Sequence, residues 1–133
     1  MIAHELGRWQ TFTLDVTVNL VLGVVVVLFG VRWVAGVLQL ATDATAAEQE
    51  DLAQRLRGGA WIGALERLAT YVTILAGFPA GLAVIAAIKG LARYPDLREQ
   101  DALVSERFII GTFVSMLLAI GAAALARWIT GLW

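Results

Sequence analysis

The sequence predicts an all-α integral membrane protein: three transmembrane helices, with short amphipathic helices lying at the membrane interface. Long apolar runs cover residues 16–40, 68–88 and 108–128. Each holds about 20 residues or more, enough at about 1.5 Å per residue to cross a hydrocarbon core of about 30 Å. Composition points the same way, with 59% hydrophobic residues, 16% charged residues and a mean hydropathy of +0.77. Ordinary soluble domains are far more polar. The charges themselves fall almost entirely between the runs or at their ends.

Ahead of the first run, Ile2, Leu6, Trp9 and Phe12 are spaced by four, three and three, an apolar helical stripe suited to the interface. Thr13 then reads as the N-cap of the first span, with Asp15 in its first turn, where a negative charge suits the helix dipole. Ala44-Thr45-Ala46 resembles a signal-peptide cleavage site. The run before it is too long for a signal core and contains Arg32, so it reads as a retained helix.

The connector over 45–57 reads as a short amphipathic helix. Thr45 and Glu48 form a capping box, Asp51 and Arg55 pair across one turn, and Leu52, Ala53 and Leu56 make a narrow stripe ended by Gly58-Gly59. The second connector helix, over 95–105, restarts after Tyr94-Pro95. The whole chain, 1–133, reads as one transmembrane domain.

Three crossings put Trp33, Trp61, Trp128 and Trp133 at one interface and Trp9 and Tyr94 at the other. The basic residues divide evenly. Arg8, Lys89, Arg93, Arg98 and Arg107 lie on the N-terminal side, and Arg32, Arg55, Arg57, Arg67 and Arg127 lie opposite. Only the denser basic run of the second connector leans towards a cytoplasmic N-terminus.

Within the spans, small and polar residues share faces. Asp15, Asn19, Gly23 and Gly30 line up on the first helix; Glu66, Thr70, Thr73, Gly77 and Gly81 on the second; Gly111, Ser115, Ala119, Ala122 and Ala126 on the third. Lipid offers a hydroxyl or amide no partner, so these faces are expected to turn towards other helices or water. Gly77 and Gly81 are expected to allow close helix contact, and Pro79 between them to kink the helix.

These stripes are helix interfaces on one reading and a polar path past Asn19, Thr70, Thr73 and Ser115 on another. The boundary charges Asp15, Arg32, Arg67, Lys89, Glu106 and Arg127 read as structural pairs. Three crossings make Glu66 available to Arg32 or Arg127, and Lys89 to Asp15 or Glu106.

The chemistry these residues exclude is broad. A net charge of −1 gives no nucleic-acid footprint, and the chain has no cysteine and a single histidine, His4. No catalytic, cofactor or metal motif stands out, so an enzyme is not expected.

Three short segments carry a resemblance: Trp61–Leu68 (WIGALERL), 86–94 (AAIKGLARY) and 105–112 (SERFIIGT). They resemble the C-terminal part of a bacterial family of integral membrane proteins known only as a domain of unknown function. That family has similar IG-x-LER, AAK…RF and IGT segments. Gly90 and Arg107 depart from its pattern, standing where a serine and an aromatic residue are expected. The resemblance covers the second half of the chain. It implies a bacterial inner, or plasma, membrane and weight on Glu66, Arg67, Lys89 and Glu106, but no activity.

The resulting expectation is a small multi-pass membrane protein with the lipid bilayer as its first partner. It would form a homo-oligomeric, channel- or transporter-like assembly with the polar faces turned inward. The alternative is an accessory or scaffolding subunit of a larger membrane complex with dry helix interfaces.

Overall fold

One unbroken helix, α1 (Ile2–Ala41), runs through both the expected interfacial segment and the first span. Thr13 does not cap a new helix. Its hydroxyl donates to the carbonyl of Gln10 (2.9 Å), as Thr17 donates to Thr13 (2.7 Å) and the Asn19 amide to Asp15 (2.7 Å). These side chains serve their own helix, and nothing nearby offers the backbone another course. Trp9 and Phe12 lie exposed on this helix with their rings edge to face at 6.5 Å.

This computed structural model describes residues 2–41, 45–55, 58–98 and 102–131. Leu56, Arg57 and Trp133 lie outside the described residues. So do the side chains of Ile2, His4, Leu6, Arg8, Leu52, Ala53 and Arg55, and with them the expected Asp51–Arg55 pair and the two amphipathic stripes.

All regular structure among the described residues is helical: α1, α2 (Ala46–Arg55), α3 (Gly59–Leu75), α4 (Gly81–Ala92), α5 (Tyr94–Arg98) and α6 (Ala102–Thr130). The capping box before α2 forms. The Glu48 carboxylate accepts from the Thr45 backbone N–H (2.8 Å) and hydroxyl (2.7 Å), which hold its pKa below the usual carboxylate value. The expected connector helix over 95–105 is instead the single turn and a half of α5, and α6 begins at Ala102. Among the described residues, two helices are long and apolar enough to cross a membrane: α1 from Trp9 to Ala41, and α6.

The expected second span over 68–88 is two helices folded back on each other. Gly77 sits at φ +70, and the chain closes α3 with two reverse bonds, Phe78 N–H to Thr73 and Gly77 N–H to Ile74. This is the Schellman arrangement, with glycine in the left-handed position. Pro79 then starts the next turn, whose N–H groups at Gly81, Leu82 and Ala83 bond to Phe78, Pro79 and Ala80. Gly77 therefore turns the chain and does not pack a helix, and Pro79 follows a reversal where a kink was expected.

Three contacts fix the antiparallel direction of α4 on α3. Gly81 lies under Thr73, Lys89 pairs with Glu66, and the Arg93 guanidinium sits 3.7 Å from where a Cβ of Gly59 would stand. A Cβ on Gly81 would come within 2.7 Å of the Thr73 methyl, so the missing side chain does permit close approach, though inside the hairpin.

Helices α1, α3 and α6 pack on one another. Tyr71 meets Asn19 and Gly23, and Arg67 meets Val27 and Gly30, so α3 runs antiparallel to α1. Arg67 meets Ser115, and Arg127 meets Ile74 and Leu75, so α3 runs parallel to α6. The interior is Val26, Tyr71, Ala119, Ala123 and Ala126, with Thr70 fully buried.

Candidate functional site

A cleft of about 400 Å³ opens where the C-terminal half of α1 faces the start of α3, the end of α4 and the first turns of α6. Four-residue spacings bring its polar groups to one level. Gly59, Gly63 and Arg67 share a face of α3, Lys89 lies in the last turn of α4 with Arg93 capping its end, and Arg107, Gly111 and Ser115 share a face of α6. Four basic side chains, Arg67, Lys89, Arg93 and Arg107, line it against one carboxylate, Glu66.

Arg67 forms the floor. It is 3% exposed, and its guanidinium donates to the Ser115 hydroxyl (Nη1, 3.2 Å) and the Val27 carbonyl (Nη2, 3.4 Å). Both acceptors are neutral, and Nε is buried with no partner among the described residues. Glycine makes the room. A Cβ on Gly30 would lie 2.6 Å from Nε, and one on Gly63 would lie 3.4 Å from Nη1. A buried cation normally takes a carboxylate partner, but the adjacent acid, Glu66, is bound to Lys89.

The Lys89 ammonium also stands 5.7 Å over the Phe108 ring, a cation–π contact. On α6, Nη1 of Arg107 is buried with no hydrogen-bond partner among the described residues. Nε of Arg67 and Nη1 of Arg107 are therefore guanidinium donors that no acceptor among the described residues uses.

The other expected residues are distributed around this centre. Asn19 lies lower on α1, where its backbone carbonyl accepts from the Tyr71 hydroxyl (2.9 Å). Thr70 and Thr73 continue down α3, the first fully buried and the second half-buried against Gly81. Gly111 faces Val34 and Leu38 across the cleft. Asp15 is half-buried, whereas Arg32 and Glu106 are exposed and outside the lining.

Glu66 pairs with neither Arg32 nor Arg127, and Lys89 with neither Asp15 nor Glu106. The hairpin returns Lys89 to the level of Glu66. Arg127 instead donates through Nη1 to the carbonyls of Leu75 (3.1 Å) and Ile74 (3.4 Å) at the end of α3.

Sequence reasoning counted Arg93 and Arg107 only as boundary charges and gave Tyr71 no role. The signal was a four-residue step, from Lys89 to Arg93 at the end of α4 and from Arg107 to Gly111 on α6. The chain matches no family model, no curated protein and no solved structure.

Proposed function

We propose that this is a multi-pass membrane protein in which α1 and α6 each cross the bilayer once, in opposite directions. The α3–α4 hairpin enters and leaves on the side of Glu66 and Lys89. It acts as an accessory, ligand-binding subunit of a membrane assembly and not as a conduit through its own interior. The resemblance of its second half to bacterial membrane proteins favours the plasma membrane as its compartment.

The inverted distribution of side chains carries this reading. Among the described residues the buried side chains are Arg67, Thr70, Ser115, Ala119, Ala123 and Ala126 with only Val26, Tyr71 and Val104 as larger apolar ones, while Leu20, Leu28, Phe29, Phe78, Phe113 and Leu117 are each more than half exposed. A soluble protein hides the second set; helices in lipid pack through small residues and leave large apolar ones outside. Only 17% of each long apolar window is buried, which speaks against a soluble core helix.

The hairpin tip suits membrane depth because its backbone is satisfied from within. The reverse turn supplies its own bonds, and Arg127 takes up the last carbonyls of α3. Below the cleft, Thr70 and the three alanines close the interior, which favours binding over conduction through a single chain.

The hairpin also changes the charge balance. Arg32, Arg55, Arg57, Arg67, Lys89, Arg93, Arg98 and Arg107 fall on the connector side, against Arg8 and Arg127 on the other. By the positive-inside rule the connectors are cytoplasmic and residues 2–8 and 131 face outward. This reverses the lean from an even count.

The chain has no native cysteine, so single cysteines can test this without background. At Thr45 and Arg98 they should react with an impermeant reagent from the same, cytoplasmic side, and at Gln10 and Gly131 from the other. Opposite labelling of Thr45 and Arg98 would mean that residues 59–92 cross once, and release by alkaline carbonate would remove the membrane reading altogether.

A further inference from the structure

We infer that the cleft between α1, α3, α4 and α6 binds a phosphate-type oxyanion, held by Arg67 and Arg107, and that its source is the headgroup of an anionic phospholipid. The lipid source rests on the membrane reading above; the anion chemistry does not. With Lys89 paired to Glu66, Arg67 and Arg107 leave the lining cationic. Arg67 is almost fully buried on neutral acceptors, with an unused Nε, and Arg107 brings a second buried donor without a partner. Guanidinium groups donate in a fixed planar fork that matches two oxygens of a phosphate.

Lys89 is already shared between Glu66 and Phe108, so it sets the wall of the cleft and leaves the anion to the two arginines. A volume of about 400 Å³ is ample for a phosphodiester with part of its glycerol. Past the anion, the lining turns apolar through Val31, Val34, Leu38 and Ile62. This pairing of charge with an apolar flank fits a group that carries acyl chains better than a free ion. The cleft also sits on the basic side of the membrane, where anionic headgroups are attracted by juxtamembrane basic residues.

The test uses the full chain released from detergent micelles into native mass spectrometry, offered phosphatidylglycerol and phosphatidylcholine in equal amounts. One phosphatidylglycerol per chain should be retained, with about a tenfold preference. Arg107→Gln should abolish most of that preference, and Arg107→Lys should restore only part of it.

A parallel arm titrates inorganic phosphate against thermal unfolding. A phosphate-dependent rise that Arg107→Gln removes, without lipid preference, assigns the site to the free ion and keeps the anion chemistry. Equal retention of both lipids with no phosphate effect overturns the proposal. Wild-type behaviour in Arg107→Gln does the same. Should that variant not fold, the lipid preference and phosphate response of the native chain decide alone. A chain that labels as a membrane protein yet shows neither response loses only this inference; one that binds phosphate yet is carbonate-extractable loses only the membrane reading.

Discussion

Lys89, near the end of α4, is ion-paired with Glu66, 23 positions earlier on α3, and each side chain is only 16% exposed. A single helix over 68–88 would hold these two groups a membrane's width apart. Their contact instead ties the open end of a hairpin, sets the level of the cleft, and directs the Glu66 carboxylate to Lys89 and not to Arg67.

Because the pair is largely but not fully buried, breaking it should cost about 2 kcal/mol, between the values for exposed and fully buried pairs. Lys89→Met and Glu66→Gln should each lower unfolding stability in detergent by that amount, and the double variant should lose little more than either. Fully additive losses would show that the two groups do not act on each other.

Gly30 lies against the Arg67 guanidinium. Gly30→Ala would put a methyl group 2.6 Å from Nε, so the side chain must shift towards the cleft and loosen its bonds to Ser115 and Val27. A loss of about 1–3 kcal/mol is expected. Gly36, on the same helix, has nothing within 4 Å of such a methyl. Gly36→Ala should leave stability unchanged or raise it by up to ~1 kcal/mol. Equal effects in chemical unfolding would contradict the close contact at Gly30.

At the hairpin tip, Gly77→Ala should destabilise by about 1–2 kcal/mol, since φ +70 is costly for a residue with a Cβ. Gly77→Asn should cost less, because asparagine tolerates that conformation. Arg127→Met, which removes the donor to the Leu75 carbonyl and leaves Ile74 with only the Gly77 N–H, should cost about 2 kcal/mol. Thermal unfolding of the three variants checks the order. If bulk at Gly77 acted through helix contact, asparagine would be worse than alanine.

The sequence made α1 and α6 legible because length and apolar content are sufficient evidence for such helices. It did not disclose the hairpin, because an apolar count cannot register a change of direction. The signal is nonetheless there: Gly77 followed two residues later by Pro79 is a helix stop, which a Gly-xxx-Gly spacing disguises as a contact and a kink. The same reversal brings Lys89 to Glu66 in place of the partners expected for each. Along the expected stripes, Thr70, Ser115 and Gly81 are buried, Asn19, Glu66, Thr73 and Gly111 are half-buried, and Gly77 is exposed. The cleft was partly visible in Glu66, Arg67, Lys89, Gly111 and Ser115. Arg107 escaped because a basic residue at a span end is ordinarily only a boundary marker.

The hydroxyl that receives Arg67 belongs to Ser115, 48 positions further along the chain. A ribosome that has just delivered α3 and α4 has not yet made it. Newly synthesised α3 thus carries a guanidinium that lipid will not accept, and the hairpin should wait at the surface until α6 emerges beside it. Nascent chains arrested before residue 115 should leave a cysteine at position 70 open to aqueous reagents, and chains arrested beyond α6 should shield it.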